Sequence, residues 1–192
     1  VFAQPLESPN DVPGLPGSHT IVTNPAAAPA SPFGWHDTDG DIAPDFTDTR
    51  GNNVNAQEDR DANDTGGNRP GGGANNDYNF AFDPTQAPSN NQDEAIVNLF
   101  YWNNLIHDVT YVHGFTEAAG NFQFNNYGRG GAAADPVEAD AQDGSGTDNA
   151  NMGTPPDGFS PRMQMFEWTG PDPDVDSDND NGIIAHEYFH GV

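Results

Sequence analysis

The sequence contains no cysteine, no lysine and no long apolar run. Without cysteine there is no disulfide framework, so a secreted chain of this composition needs other staples, and bound calcium is one. A membrane-spanning helix needs about 20 consecutive apolar residues, and no segment approaches that length. Without lysine, five arginines face 30 acidic residues, for a net charge of -25. Such a surface repels phosphate backbones and anionic lipid, so neither nucleic acid nor a membrane is an expected partner. It favours cations. The N-terminus (Val1, Phe2, Ala3, Gln4, Pro5) lacks the layout of a signal peptide, but a mature secreted chain would have lost one, so this is no argument for the cytoplasm.

The 192 residues suffice for one domain with a real core, or for part of a larger one. Asp, Asn and Gly are abundant and favour turns, which predicts a loop-rich protein. Residues 1–92 read as a loop- and strand-rich region, with a half-buried strand where Tyr78, Phe80 and Phe82 alternate with smaller residues. Residues 63–73 have the composition of disorder. A long helix is predicted near 92–109. Asn91 and Glu94 have capping-box spacing, Ala95, Leu99, Trp102, Ile106 and Val109 form an apolar stripe, and Gly114 provides a stop. Asn121–Tyr127, with Phe122 and Phe124 on one face, and Pro161–Trp168 read as strands, and 128–147 as a Gly/Ala/Asp loop.

The chemistry lies near the C-terminus. After an acidic run, a second helix is predicted from about Gly182, carrying His186-Glu187-Tyr188-Phe189-His190. Residues i and i+4 lie one turn apart on one helical face, so His186 and His190 can offer their imidazoles to one metal ion. Glu187 is placed to reach a metal-bound water as general base, which is the arrangement of a zinc peptidase. The helix opens on Ile183, Ile184 and Ala185 and is therefore expected to be buried, where two histidines and a glutamate need partners.

Several further strings accompany this motif in order: Ser31 to His36 (Ser-Pro-Phe-Gly-Trp-His), Asn98 to Asn104 (Asn-Leu-Phe-Tyr-Trp-Asn-Asn), Gly114 to Gln123 (Gly-Phe-Thr-Glu-Ala-Ala-Gly-Asn-Phe-Gln), Ala139 to Gly146 (Ala-Asp-Ala-Gln-Asp-Gly-Ser-Gly), Pro161 to Phe166 (Pro-Arg-Met-Gln-Met-Phe) and Gly182 to Gly191. Together they resemble the fungalysin family of secreted metallopeptidases over nearly the whole chain. The resemblance implies an α+β, thermolysin-like zincin fold with a mixed or antiparallel sheet, made as a proenzyme and secreted. It also implies protein and peptide substrates, Zn2+ held by His186 and His190, and Glu187 as the base. It implies a substrate-binding edge strand at Asn149 and Ala150, since an exposed edge can pair with an extended peptide. In this family the third zinc ligand is a glutamate on a later helix. Residues 93–192 would thus be the zincin core up to the active-site helix, and its C-terminal helical part would be a necessary partner outside these 192 residues.

Other candidates are weaker. Asp172, Asp174, Asp176, Asp178 and Asp180 alternate, but the glutamate an EF-hand requires at loop position 12 is Ala185 counted from Asp174 and, counted from Asp176, Glu187, which is already assigned as the base, so the run is not an EF-hand. Irregular calcium binding and a solvated acidic loop both remain open. His36 beside Asp37 and Asp39 suggests a second cation site, whereas His107-Asp108 reads as structural; His19 and His113 have no informative neighbours. The competing functional class is a non-catalytic, cation-binding or assembly-forming protein on a peptidase-derived scaffold.

Overall fold

A computed structural model of the chain describes residues 2–4, 20–41 and 43–192. His19 lies outside the described residues. Strands β1 (Phe2–Gln4) and β2 (Thr20–Val22) form an antiparallel pair. The central sheet is built from β3 (Val54–Glu58), β4 (Val137–Ala141), β5 (Ala150–Gly153) and β6 (Arg162–Met165), in the order β3-β4-β6-β5. The first three run parallel in that order, and β5 closes the sheet antiparallel to β6. β7 (Glu167–Trp168) and β8 (Val175–Asp176) make a short ribbon. The helices are α1 (Gln92–Val112) and α2 (Asn181–Phe189). The content is α+β with a mixed sheet, as expected.

One sheet face is small and apolar. Val54, Ala56, Val137, Ala139, Ala141, Met163 and Met165 point into the core, and the alanines let α1 lie close against the strands. The other face is polar and cross-linked. Asn55 Nδ2 donates to Glu138 Oε1 and Gln57 Nε2 to Asp140 Oδ1, each at 2.9 Å between residues in direct register. β4 therefore lies inside the stretch expected to be loop, a correction. Val-Glu-Ala-Asp-Ala has little strand propensity of its own and is extended because it is held between β3 and β6.

Three further local expectations fail. Tyr78–Phe82 contains no named strand; the alternation reflects Tyr78 fully buried with its hydroxyl donating to Asp48 O at 2.9 Å. Asn121–Tyr127 is an extended loop in which Phe122 is buried and Phe124 exposed, so the two do not share a face. Its backbone is held by Phe124 N to Asn52 O and Ala134 N to Phe124 O. The capping box at α1 does not form. Asn91 instead locks the preceding loop, accepting from Asp83 N at 2.9 Å and donating to Asp83 O at 3.0 Å, while Glu94 turns inward.

α1 is buried on almost every side, which explains why Val109, half-exposed, does not complete the predicted stripe. Its polar residues receive loops. Asn98 Nδ2 donates to Asp178 O and Asn181 Oδ1, and Asp108 accepts from Ala27 N, Ser31 Oγ and Trp35 Nε1. His107 lies fully buried against Asp108 at 3.0 Å, the structural role expected of it.

Candidate metal centre

α2 starts where its sequence predicts. Asp180 caps it, accepting from Gly182 N at 2.9 Å and Ile183 N at 3.2 Å, where a carboxylate also complements the helix dipole. The last turn is tightened by His190 N to Glu187 O and Gly191 N to Tyr188 O. Ile184 and Tyr188, one turn apart, are fully buried, and Tyr188 packs on Phe122 with ring centroids 5.7 Å apart. Gly191 follows because a Cβ there would stand 2.6 Å from the Phe122 ring.

At about 100° per residue, burying positions 184 and 188 turns positions 186 and 190 to the opposite side. His186 and His190 are accordingly exposed, with their Nε2 atoms 3.1 Å apart and their rings perpendicular. Glu187 is buried beside them, its Oε2 4.0 Å from His190 Nε2. The three residues offer ligand atoms within 4.8 Å of one another. Two nitrogens on one tetrahedral zinc stand about 3.4 Å apart for bonds of about 2.1 Å, so the imidazole pair fits the ion. Among the described residues no other His, Cys, Asp or Glu joins this group.

The histidines face β5. An open cleft of about 480 Å³ is lined by Asn149, Ala150, Asn151, Met152, Thr154, His186, Glu187 and His190. The structure thus brings together every residue singled out from the sequence for the site. Asn151, Met152 and Thr154 were not anticipated; their signal was only membership of the edge strand and its continuation. Asn149 is exposed, and β5 is the last strand of its sheet.

His36 does not join the acidic residues beside it. Its ring is stacked between Tyr78 and Phe100, its Nδ1 donates to Arg50 O at 3.0 Å, and burial lowers its pKa to about 4. It is therefore neutral at pH 7. The alternating Asp run is not uniformly solvated: Asp172 and Asp174 are outside, but Asp176 and Asp178 are buried near Glu94. Burial, then the Asp176 charge, holds the carboxyls of Glu94 and Asp178 well above the usual range. A four-residue acidic cluster that no sequence pattern announced, Asp59, Asp64, Asp140 and Asp143, gathers at the ends of β3 and β4.

A mixed sheet whose last strand is antiparallel, a helix bearing two histidines and a glutamate, and a cleft between that helix and the open strand edge make up a metallopeptidase-like arrangement. The sequence profile of the fungalysin metallopeptidase (M36) family matches residues 1–192, and the chain belongs to that family. It is 42% identical over 204 residues to extracellular metalloproteinase 2 of Trichophyton tonsurans and 44% identical over 200 residues to extracellular metalloproteinase 2 of Arthroderma gypseum. It is 40% identical over 194 residues to extracellular metalloproteinase 5 of Trichophyton tonsurans. Each match covers all of this chain and 30% of the relative, so the chain spans about a third of the length of these proteins.

Proposed function

We propose that the protein is a secreted zinc endopeptidase, with the centre on α2 as its active site. The observation that carries this reading is the pair of Nε2 atoms 3.1 Å apart, next to a buried glutamate, on a helix face opening onto an edge strand. His186 and His190 would hold the ion. Zinc bound there supplies Lewis acidity, bringing the pKa of water towards neutrality and polarising a carbonyl. Glu187 takes the proton of the attacking water and delivers it to the departing amine. The water oxygen adds to the carbonyl carbon as the C=O π bond opens, the carbonyl then reforms as the C–N bond breaks and the protonated amine leaves, and no acyl group is carried on the chain. An extended peptide lies along the free edge of β5, where Asn149 and Ala150 meet its backbone. Calcium is the second cation of this reading.

A catalytic zinc needs three protein ligands and an open position. Two are on α2. The third, and the groups that stabilise the transition state, are assigned to the part of the relatives' length that this chain does not span. The relatives' names carry the word extracellular, which supports secretion, and the family resemblance supports synthesis as a proenzyme. Among the described residues no helix is long and apolar enough to cross a membrane.

The test is Glu187→Gln in the whole protein. The amide keeps the shape and cannot act as a base, so peptide hydrolysis should fall by about a thousandfold or more while zinc stays bound at one equivalent. Near-normal turnover would exclude Glu187 as the base, and absence of zinc from the unaltered protein would exclude the metal centre.

A further inference from the structure

The loop from Asp37 to Asp45 carries four carboxylates, and three of them converge at a place that peptide hydrolysis does not use. Asp37, Asp39 and Asp45 each bring an oxygen within 4.8 Å of the other two. Each also spends one oxygen on the loop itself. Asp37 Oδ1 accepts from Gly40 N and from the Tyr127 hydroxyl, both at 3.0 Å. Asp39 Oδ1 accepts from Asp41 N at 2.9 Å, and Asp45 Oδ2 from Thr38 N and Oγ1 at 2.7 Å.

What remains is unusual at Asp37. Its side chain is fully buried, yet Oδ2 has no hydrogen-bond partner. A buried carboxylate oxygen with neither a donor nor a counter-charge is strongly unfavourable, and native structures rarely leave one without an ion or water. Among the described residues no ion pair reaches Asp37, Asp39 or Asp45. The other acidic cluster differs on this point. There Arg162 Nη1 contacts Asp140 Oδ2 and lies 3.8 Å from Asp64 Oδ1, and Gln57 and Gln164 donate to Asp140 and Asp143. That cluster carries its own cation; the Asp37 cluster does not.

We propose that Asp37, Asp39 and Asp45 form a binding site for a hard divalent cation of the calcium type, Asp37 from a buried floor and the other two from an exposed rim. Such ions take six to eight oxygen ligands, so carbonyls and water complete the shell, and a site with few protein ligands suits millimolar extracellular calcium. Burial first, and the neighbouring Asp45 and Asp39 charges after it, push the Asp37 carboxyl upward; a bound cation offsets both. The site joins two distant segments, because Tyr127 bonds Asp37 and Asn125 Nδ2 donates to Thr38 O at 2.9 Å. In a chain without cysteine, an ion here clips the N-terminal loops to the segment before β4. The inference does not depend on the peptidase reading.

The test uses the whole zinc-loaded protein, freed of other divalent ions, at constant ionic strength, with terbium as probe and calcium as competitor. Terbium emission is sensitised by a nearby aromatic ring, and Tyr127 touches Asp37. Saturable emission displaced by calcium is expected, with a calcium-dependent rise in Tm. Asp37→Asn and Asp45→Asn should each weaken binding by about tenfold or more, because affinity follows the number of charged ligands. Asp45 is exposed, so its variant decides the matter if Asp37→Asn fails to fold. Asp143→Asn should leave the signal intact. An Asp45→Asn variant with the unaltered response, loss of the signal in Asp143→Asn instead, or no calcium effect on the parent protein would each overturn the proposal.

Discussion

Trp35 Nε1 donates to Asp108 Oδ2 across 3.0 Å, tying an N-terminal loop to the C-terminal part of α1. The same carboxylate accepts from Ser31 Oγ at 2.6 Å and Ala27 N at 2.9 Å and lies 3.0 Å from His107 Nδ1. His107 Nε2 in turn lies 3.2 Å from Asn121 Nδ2. One buried side chain thus gathers three groups from residues 27–35 onto α1 and positions the neighbouring His107. Asp108→Ala would strand several buried donors and should destabilise the protein by about 3 kcal/mol or more. Asp108→Asn keeps one acceptor and should cost less. Urea unfolding of both variants checks the order, and a loss below about 1 kcal/mol for the alanine variant would show that the loops are held elsewhere.

Glu94 gives a pH dependence of opposite sign to ordinary acid denaturation. Burial, and next the Asp176 charge, raise its pKa in the folded state. Between the unfolded value, about 4.3, and the raised folded value, the folded state binds more protons than the unfolded one. Its contribution is therefore complete at low pH and is lost as pH rises through the folded pKa. Asn179, with its amide nitrogen turned to Glu94, donates at 3.0 and 3.1 Å and offsets only part of this. Glu94→Gln should stabilise the protein by about 1 kcal/mol or more at pH 8, with the advantage vanishing near pH 4. Thermal melts across that range measure it; a variant destabilised equally at both ends would refute the charge argument.

Asn149 stands exposed where β5 begins, on the wall of the cleft opposite α2. If it meets the substrate backbone, Asn149→Ala should lower kcat/KM of the whole enzyme by about tenfold, the worth of one hydrogen bond. Tm should scarcely move, since surface changes fall within about 0.5 kcal/mol. Unchanged kcat/KM on several peptides would place the substrate away from this edge.

The sequence by itself determined α2 and the placement of His186, Glu187 and His190 on it. Capping at Asp180, the spacing of His186 and His190, and the position of Glu187 are set by the geometry of one helix. The span of α1 was legible for the same reason. Tertiary structure decided the rest. β4 is a strand only because β3 and β6 flank it, and Asn91 and Glu94 abandon their capping spacing for Asp83 and the buried carboxylates near Asp176. Asp45 joins Asp37 and Asp39 through a loop closure that no periodicity announces. Periodicity reports which face of one element is apolar. Which elements meet, and which charges are buried together, depends on contacts between residues far apart in the chain, and those are fixed only when the core closes.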